Sequence, residues 1–188
     1  MKILLDLDGV IVDFVEGACQ AHHRRMYDEP LKEEEAGGYH IEKLWGISRN
    51  AFWKPMAEPE FWRKLDWMPD GREILEIVER AVGPENVCLL TSPSVGSGPV
   101  VGKLDWIEKN MPAYEWRYLI GPVKDFCAGP DAILVDDSDG NVGSFAEAGG
   151  GTVLVPRPWN SNWEHRHDAV EWVKWSLETL TNWMEVRI

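Results

Sequence analysis

The first ten residues, MKILLDLDGV at positions 1–10, decide the fold of the chain. Residues 3–5 are continuously apolar, which is typical of a short strand buried on both faces of a parallel sheet. Asp6 and Asp8 follow this strand at once, and Gly9 comes directly behind them. Ligands of open α/β sheets bind beyond the carboxyl ends of the strands, so these two carboxylates mark a candidate site.

Short apolar runs of the same kind recur along the chain. They predict strands at residues 2–5, 86–90, 132–135 and 152–155, with a further candidate at 116–120. Between these runs, apolar residues recur at helical spacing in residues 71–82, 101–110 and 167–183. The alternation of strands and helices predicts an α/β fold built on a doubly wound parallel sheet.

Residues 16–66 do not fit this alternation, because they are rich in charged and aromatic residues and mostly helical in pattern. We interpret them as a small helical cap that is inserted after the first strand. The α/β core then comprises residues 1–15 and 67–188, which is an ordinary size for one domain.

The chain is strongly acidic. Its 188 residues include 19 Lys and Arg against 32 Asp and Glu, for a formal net charge of −13. A field of this sign repels nucleic-acid backbones, so we expect no binding to duplex nucleic acid. A substrate that carries phosphate must then be received locally, by a cation and by backbone N–H groups.

Cysteine usage and hydropathy bear on the cellular compartment. The three cysteines form neither a metal-binding spacing nor an even-numbered disulfide framework, which favours a reducing environment. The apolar run at the N-terminus is too short for a signal peptide, and no run of about 18 apolar residues predicts a membrane span. We therefore expect a cytoplasmic protein that does not bind membranes.

Polar residues also follow two later strands. Thr91 and Ser92 end the second strand, and Asp136 and Asp137 follow the strand at 132–135. Parallel strands end at one edge of a sheet, so all the strand-end aspartates should converge there and repel one another. A hard divalent cation with oxygen ligands relieves this repulsion, and Mg²⁺ is the expected cofactor.

Simpler interpretations of the acidic runs exist. An Asp-x-Asp-Gly run taken alone can equally be a turn or part of a calcium loop. Residues 137–140 also share part of the EF-hand pattern, but an apolar strand leads into them, whereas an EF-hand loop requires a preceding helix. Two acidic strand ends beside a Thr-Ser strand end together favour a catalytic site.

These residue types suit phosphoryl transfer. The carboxylate of Asp6 can attack phosphorus and form an acyl phosphate, which water then hydrolyses. Asp8, two residues further on, is within reach to protonate the leaving oxygen and later to deprotonate the water. Gly9 allows a sharp turn that directs backbone N–H groups toward the phosphate.

Three runs resemble motifs of the haloacid dehalogenase (HAD) superfamily. ILLDLDGV at 3–10 resembles its first motif, LLTS at 89–92 its second, and ILVDD at 133–137 its fourth, the acidic metal-binding pair. The resemblance implies a Rossmannoid core, and the second aspartate of the first motif implies a phosphohydrolase. Thr91 would hold a phosphoryl oxygen, and Ser92 and Gly9 are expected to contact the phosphate.

A narrower resemblance is to the 5'(3')-deoxyribonucleotidases. It rests on residues 6–14, on TSP at 91–93, on GKLDW at 102–106 and on VDD at 135–137, together with PRPWN at 156–160. It covers most of the core and fades in the insertion. The family resemblance implies that Mg²⁺ is held by the Asp6 carboxylate, the Asp8 main-chain carbonyl and the Asp137 carboxylate, with Asp136 in support.

Two lysines compete for the third superfamily motif, which neutralises the phosphate. Lys124 precedes Asp136 by twelve residues, slightly farther than expected for this family, and Lys103 lies in the helix after Thr91. We favour Lys124 as the catalytic lysine. One of the two is expected to be a solvated surface amine.

Aromatic residues are concentrated in the insertion, and the chain has 11 tryptophans in all. In the resembled family such an insertion covers the active site, where its aromatic rings would stack on a nucleobase. Phe14, Trp45 and Trp53 are the candidates for this contact. Packing within the cap is the alternative role for these rings.

The resemblance implies a Mg²⁺-dependent phosphomonoesterase that hydrolyses ribonucleoside or deoxyribonucleoside monophosphates. Two alternatives remain open. The chain could act on another small phosphate ester, such as a sugar phosphate or a 3'-phosphate end, or it could be a ligand-binding protein without catalytic activity. The sequence does not decide the base and sugar preference, nor whether the chain forms a homodimer.

Overall fold

A computed structural model describes residues 1–24, 41–94 and 96–185. The strands are β1 (Lys2–Leu5), β2 (Val87–Thr91), β3 (Tyr118–Ile120), β4 (Ala132–Asp136) and β5 (Gly151–Leu154). The α-helices of these ranges are α1 (Phe14–Ala21), α2 (Ile41–Leu44), α3 (Arg49–Trp53), α4 (Pro59–Arg63), α5 (Gly71–Val82), α6 (Gly98–Asn110), α7 (Asp139–Glu147) and α8 (Ala169–Glu185).

The five strands form one parallel sheet in the order β3-β2-β1-β4-β5. β1 is central, and its last residue Leu5 pairs with Leu89 of β2 and with Val135 of β4. The chain runs outward from β1 on one side and then crosses over to β4 on the other. The predicted doubly wound parallel sheet is therefore confirmed, and the strand order reverses beside β1, where such sheets bind ligands.

Both faces of the sheet are covered by apolar side chains, because alternate residues of a strand point to opposite faces. On one face, Ile3 and Leu5 belong to the main core, which includes residues of α5, α6 and α8. On the other face, a smaller cluster is formed by Leu4, Leu90, Ala132, Leu134 and Phe145. Within the described ranges, no helix combines the length and the apolarity needed to cross a membrane.

Helices α1 to α4 lie between β1 and α5, in the region predicted to be helical. Part of that region, residues 25–40, lies outside the described residues, and the division into core and cap stays a prediction. Helix α4 and the turn before it, which contains Ala57, pack closely on α6 at two glycines. A Cβ atom on Gly102 would lie 2.4 Å from the Pro59 carbonyl oxygen, and one on Gly98 would lie 2.0 Å from that of Ala57. Only glycine permits this approach.

Several predicted boundaries were wrong by a few residues. Helix α6 begins at Gly98 rather than at residue 101, because Pro99 is tolerated in the first helical turn and does not exclude an earlier start. The strand predicted at 116–120 is shorter, since Trp116 is 86% exposed and lies outside the sheet. Strands β2 and β5 and helix α8 are displaced by one or two residues.

Candidate active site

The carboxyl ends of three neighbouring strands bring the predicted polar residues together. Asp6 follows β1, Thr91 ends β2 and Asp136 ends β4, with Asp137 directly after it. The backbone N–H of Asp6 donates to the Val135 carbonyl at 2.9 Å, so the backbone of Asp6 still hydrogen-bonds to β4. The side chains of all four polar residues are buried.

Three carboxylates form an acidic cluster at this edge. One carboxylate oxygen each of Asp6, Asp136 and Asp137 lies within 4.8 Å of the other two. Burial raises the pKa of Asp6 to about 8; Lys124 opposes this shift, while Asp136, Asp8 and Asp137 add to it. A cation among these oxygens would restore the ionised form of Asp6.

The ammonium group of Lys124 bridges two members of the acidic cluster. Its Nζ atom lies 2.7 Å from Asp6 Oδ1 and 2.6 Å from Asp136 Oδ2. Burial acts to lower the pKa of Lys124, but the two carboxylates outweigh it and raise the pKa above its usual range. Lys124 therefore remains charged and neutralises part of the cluster.

The carboxylate of Asp136 accepts hydrogen bonds from several donors. Besides Lys124, the Asn141 side-chain amide donates to both of its carboxylate oxygens at 3.1 and 3.0 Å. The Ser138 backbone N–H donates to Oδ1 at 2.9 Å. A carboxylate that already accepts this many hydrogen bonds is well suited to the supporting role predicted for Asp136.

Asp137 is held by the segment that follows β5. The indole Nε1 of Trp159 donates to Asp137 Oδ2 at 2.6 Å. The Asn160 side-chain amide donates to the Asp137 carbonyl at 2.8 Å and to the Val155 carbonyl at 2.7 Å. Both the carboxylate and the backbone of Asp137 are therefore fixed relative to β5.

The acidic cluster fits a hard divalent cation. Asp6 Oδ1 is buried and forms an ion pair with Lys124, but it accepts no hydrogen bond of good geometry within the described residues. All three side chains of the cluster offer only carboxylate oxygens, which Mg²⁺ prefers over the nitrogen and sulfur donors that transition metals favour. The residues present thus suit Mg²⁺.

The other aspartate of the first motif lies in a different environment. The Lys103 ammonium donates to Asp8 Oδ2 and, at 2.8 Å, to the Thr91 hydroxyl. It also donates to the Ser92 carbonyl at 2.7 Å. Asp8 retains 20% side-chain exposure, in contrast to the buried Asp6. Asp8, Thr91 and Lys103 therefore form a polar group beside the acidic cluster.

The expectation that one of the two lysines is a surface amine was wrong. Lys103 and Lys124 are 3% and 2% exposed, and each is paired with an aspartate of the first motif. Burying an unpaired ammonium group would be costly, so both lysines are placed where carboxylates surround them. The choice of Lys124 as the lysine that contacts the phosphate stays a prediction.

The loop after Asp8 is anchored by Arg157, which sequence reasoning had not singled out. Gly9 has a φ of 78°, a conformation that favours glycine, and its N–H donates to the Val12 carbonyl at 2.8 Å. The Arg157 guanidinium donates to the Gly9 carbonyl at 2.6 Å and binds both carboxylate oxygens of Asp70 at 2.7 and 2.9 Å. Arg157 thereby ties the loop to the start of α5.

Two predicted phosphate contacts are engaged within the protein in this structure. The Gly9 N–H takes part in the turn just described. The Ser92 hydroxyl donates to the Gly121 carbonyl at 3.4 Å, a long hydrogen bond that a stronger acceptor can replace. Their roles in phosphate binding stay predictions.

Phe14 lies in an aromatic stack near Lys103. Its ring stacks on Trp53 with centroids 5.7 Å apart and on Trp62 with centroids 5.5 Å apart. Trp62 also lies 4.8 Å from the Lys103 ammonium, in cation–π geometry. The stack therefore leads from the insertion to the residues around Asp8.

Trp45 lies farther from this stack. Its ring contacts His22 and Phe52, and Phe52 in turn contacts Trp53 at a centroid distance of 5.2 Å. Trp45 is thus separated from Phe14 by two further rings. A contact between Trp45 and a base stays a prediction.

Sequence reasoning missed several residues that support the site. Arg157 and Trp159 lie in the PRPWN segment, which the family resemblance includes without implying a role for either residue. The sequence shows only an arginine between two prolines, and its burial, which is rare for arginine, is seen in the structure alone. Asn141 and Trp62 carried none, because an asparagine near a helix start and a tryptophan in an aromatic segment both have ordinary structural roles.

Three comparisons relate the chain to known proteins. A family model described as "5' nucleotidase, deoxy (Pyrimidine), cytosolic type C protein" matches residues 1–180. The human 5'(3')-deoxyribonucleotidase, cytosolic type, is 25% identical over 146 residues, which are 74% of this chain and 71% of the relative. A solved structure of a HAD-family enzyme from Bacteroides thetaiotaomicron matches with a TM-score of 0.43 at 16% identity. The match covers 87% of this chain and 97% of that one. That enzyme was solved as a mutant in complex with magnesium and inorganic phosphate.

The acidic cluster predicts that Mg²⁺ stabilises the folded chain. At a concentration 100 times its dissociation constant, a ligand of the folded state adds about 2.7 kcal/mol to the free energy of unfolding. For a chain of this size, the melting temperature should rise by roughly 5–10 °C when Mg²⁺ replaces EDTA. Asp137→Asn should abolish most of this rise, whereas Asp139→Asn, outside the cluster, should retain it. Equal melting temperatures in Mg²⁺ and EDTA would contradict the assignment.

Proposed function

This chain belongs to the family of 5' nucleotidase, deoxy (Pyrimidine), cytosolic type C proteins, and on this premise we propose that it hydrolyses nucleoside monophosphates in a Mg²⁺-dependent reaction. Membership in the family makes the chain a hydrolase of phosphoric monoesters. Deoxyribonucleotides are the substrates that the family description favours. The human relative is described as cytosolic, and we propose the same location here.

A single observation carries this proposal. The two aspartates of the first motif are only two positions apart in sequence but face different partners: Asp6 is paired with Lys124 and belongs to the acidic cluster, whereas Asp8 is paired with Lys103 beside Thr91. Hydrolysis through a covalent intermediate requires two carboxylates with two roles, and environments that differ in this way can assign them.

Asp6 acts as the nucleophile. Its carboxylate oxygen attacks phosphorus, a new oxygen–phosphorus bond forms, and the bond from phosphorus to the ester oxygen breaks. Asp6, Asp137 and the main-chain carbonyl of Asp8 would hold Mg²⁺, which neutralises phosphoryl oxygens and orients phosphorus when bound. Lys124 keeps the Asp6 carboxylate in position, and Asp136 keeps Lys124 in position.

Asp8 transfers the protons. As the ester bond breaks, it protonates the leaving oxygen of the nucleoside. It then takes a proton from the water that attacks the aspartyl phosphate, so that phosphate leaves and the Asp6 carboxylate is regenerated. Thr91 contributes its hydroxyl to a phosphoryl oxygen, and Ser92 and Gly9 are proposed to assist there. Lys103 already donates to the Thr91 hydroxyl. Its ammonium group is a second positive charge, besides Mg²⁺, for the same phosphate.

The aromatic stack is the proposed binding region for the base. Phe14, Trp53 and Trp62 are joined to the catalytic residues through Lys103, so a nucleotide whose phosphate meets Asp6 would place its nucleoside toward these rings. Of the three rings, Trp53 is partly exposed and offers surface for stacking. Base–aromatic stacking contributes about 1–3 kcal/mol per base.

The nucleophile assignment predicts that Asp6→Asn reduces the turnover number at least about 1,000-fold, because an amide does not form the acyl phosphate. The measurement is release of inorganic phosphate from a panel of ribonucleoside and deoxyribonucleoside monophosphates, with Mg²⁺ and with EDTA. Asp139→Asn, matched in chemistry but outside the acidic cluster, should retain wild-type turnover. Circular dichroism should show that both variants are folded. Near-normal hydrolysis by Asp6→Asn would exclude Asp6 as the nucleophile.

Adding sugar phosphates and oligonucleotides with 3'-phosphate ends to this panel separates the alternative substrates. A sugar phosphatase or a phosphatase of 3'-phosphate ends should prefer those esters to every nucleoside monophosphate. Absence of turnover across the whole panel would favour the remaining alternative, a chain that binds ligands without hydrolysing them.

The base-binding proposal predicts a selective loss in Trp53→Leu. Loss of one stacking contact should lower kcat/KM for nucleoside monophosphates about 5- to 100-fold. Hydrolysis of p-nitrophenyl phosphate, which has no nucleobase, should change much less. Trp175→Leu, a variant of an exposed tryptophan in α8, should change neither rate. The same assay on Trp45→Leu tests the prediction for that ring.

Equal losses on both substrates in Trp53→Leu would count against base stacking. They would indicate that Trp53 stabilises the insertion instead of recognising the substrate. The proposed phosphatase chemistry would be unaffected by that result.

A further inference from the structure

We infer that Trp159 is a positioning residue for the metal site, which orients the carboxylate of Asp137 through its indole N–H. The inference rests on the proposed function, because it assigns to Asp137 the role of a Mg²⁺ ligand. It assigns to Trp159 an action on the cation site through Asp137. The observation that supports it is the 2.6 Å hydrogen bond from Trp159 Nε1 to Asp137 Oδ2.

The indole suits this role because it can only donate. A tryptophan N–H has no acceptor function, so it always presents a proton to the carboxylate and never competes with it for a cation. Trp159 is 6% exposed and Asp137 is 1% exposed, so water has little access to their hydrogen bond. A charge-assisted hydrogen bond in such a place is short and strong, and it fixes the rotation of the carboxylate.

The backbone around Trp159 is itself braced. Asn160 accepts a hydrogen bond from the Arg157 N–H at 3.2 Å, while its amide donates to the carbonyls of Asp137 and Val155. Trp159 and Asn160 thus hold the carboxylate and the carbonyl of the same aspartate. These two hydrogen bonds favour a single orientation of Asp137.

The same segment reaches the other side of the site. Arg157, two residues before Trp159, donates to the Gly9 carbonyl in the loop that follows Asp6 and Asp8. The post-β5 segment, residues 156–160, therefore connects the loop of the nucleophile with the β4 end that carries Asp137. Trp159 is the member of this segment that contacts a cluster carboxylate directly.

Groups that orient metal ligands are typically worth about 10- to 100-fold in metal affinity. Trp159→Phe removes the N–H donor and retains an aromatic ring of similar shape. We expect its dissociation constant for Mg²⁺, measured by isothermal titration calorimetry without substrate, to rise at least about 10-fold. The Mg²⁺ concentration for half-maximal phosphate release should rise in parallel, while kcat at saturating Mg²⁺ stays close to the wild-type value.

Trp106→Phe is the matched control. Trp106 is also buried, and its indole N–H donates to the Leu65 carbonyl at 2.7 Å, away from the acidic cluster. This variant loses an equivalent hydrogen bond and should bind Mg²⁺ with wild-type affinity. Equal weakening in both variants would indicate general structural damage and would overturn the inference.

A measurement on the wild-type chain covers the case in which Trp159→Phe does not fold. In a ¹⁵N-labelled sample, the indole N–H signal of Trp159 should shift when Mg²⁺ is added, whereas that of Trp106 should stay in place. A Trp159 signal that does not respond to Mg²⁺ would overturn the inference.

The two proposals can fail separately. If the wild type and Trp159→Phe bind Mg²⁺ equally and both hydrolyse nucleotides, Trp159 has no positioning role and the proposed function stands. If the wild type binds no Mg²⁺ and needs none for hydrolysis, the metal assignment and the role of Trp159 are both excluded.

Discussion

The buried ammonium group of Lys124, between Asp6 and Asp136, is the interaction on which the site depends. Three carboxylates gathered at the edge of an apolar sheet would repel one another and lose their hydration. Lys124 offsets part of this cost, because it lies within 2.7 Å of two of them. With Asp6 ionised, three carboxylates and one ammonium leave two negative charges, which is the charge that a divalent cation balances. The lysine thus relieves part of the repulsion within the cluster and still leaves it a net negative charge for a metal ion.

A second lysine separates the roles of the two aspartates in the first motif. Lys103 pairs with Asp8 and with Thr91, and the packing of α4 on α6 encloses it beside Trp62. Asp6 therefore lies among the carboxylates of the acidic cluster, while Asp8 lies toward the insertion and retains some exposure. The pairing of each aspartate with its own lysine gives two residues of one loop the different environments that the proposed roles of nucleophile and acid–base need.

Much of the fold and of the site was accessible from the sequence. Continuous apolar runs followed by Asp or Thr predicted the parallel strands and the edge at which Asp6, Thr91 and Asp137 meet, because such runs suit strands buried on both faces. Helix α5 was predicted at its observed bounds, since a proline and a glycine mark its end. Each of these features depends on residues that are close together in the sequence, so the sequence pattern indicates them.

What could not be predicted depends on contacts between distant segments. Arg157 and Gly9 are 148 positions apart, and nothing near either residue indicates their hydrogen bond. The burial of both lysines depends on how α6 and the turn after β3 meet the first motif, which is again a property of the tertiary structure. The hydrogen bond between Trp159 and Asp137 belongs to the same class.

The most direct measurement of the central claim is to trap the phosphoryl group on the enzyme. The chain is mixed with a deoxyribonucleoside monophosphate and Mg²⁺, quenched in acid during turnover and reduced with borohydride, which converts an aspartyl phosphate into homoserine. Mass spectrometry of the N-terminal peptide should then locate homoserine at position 6 and nowhere else. Steady release of phosphate with Asp6 unmodified, or with the modification at another residue, would contradict the assignment of Asp6 as the nucleophile.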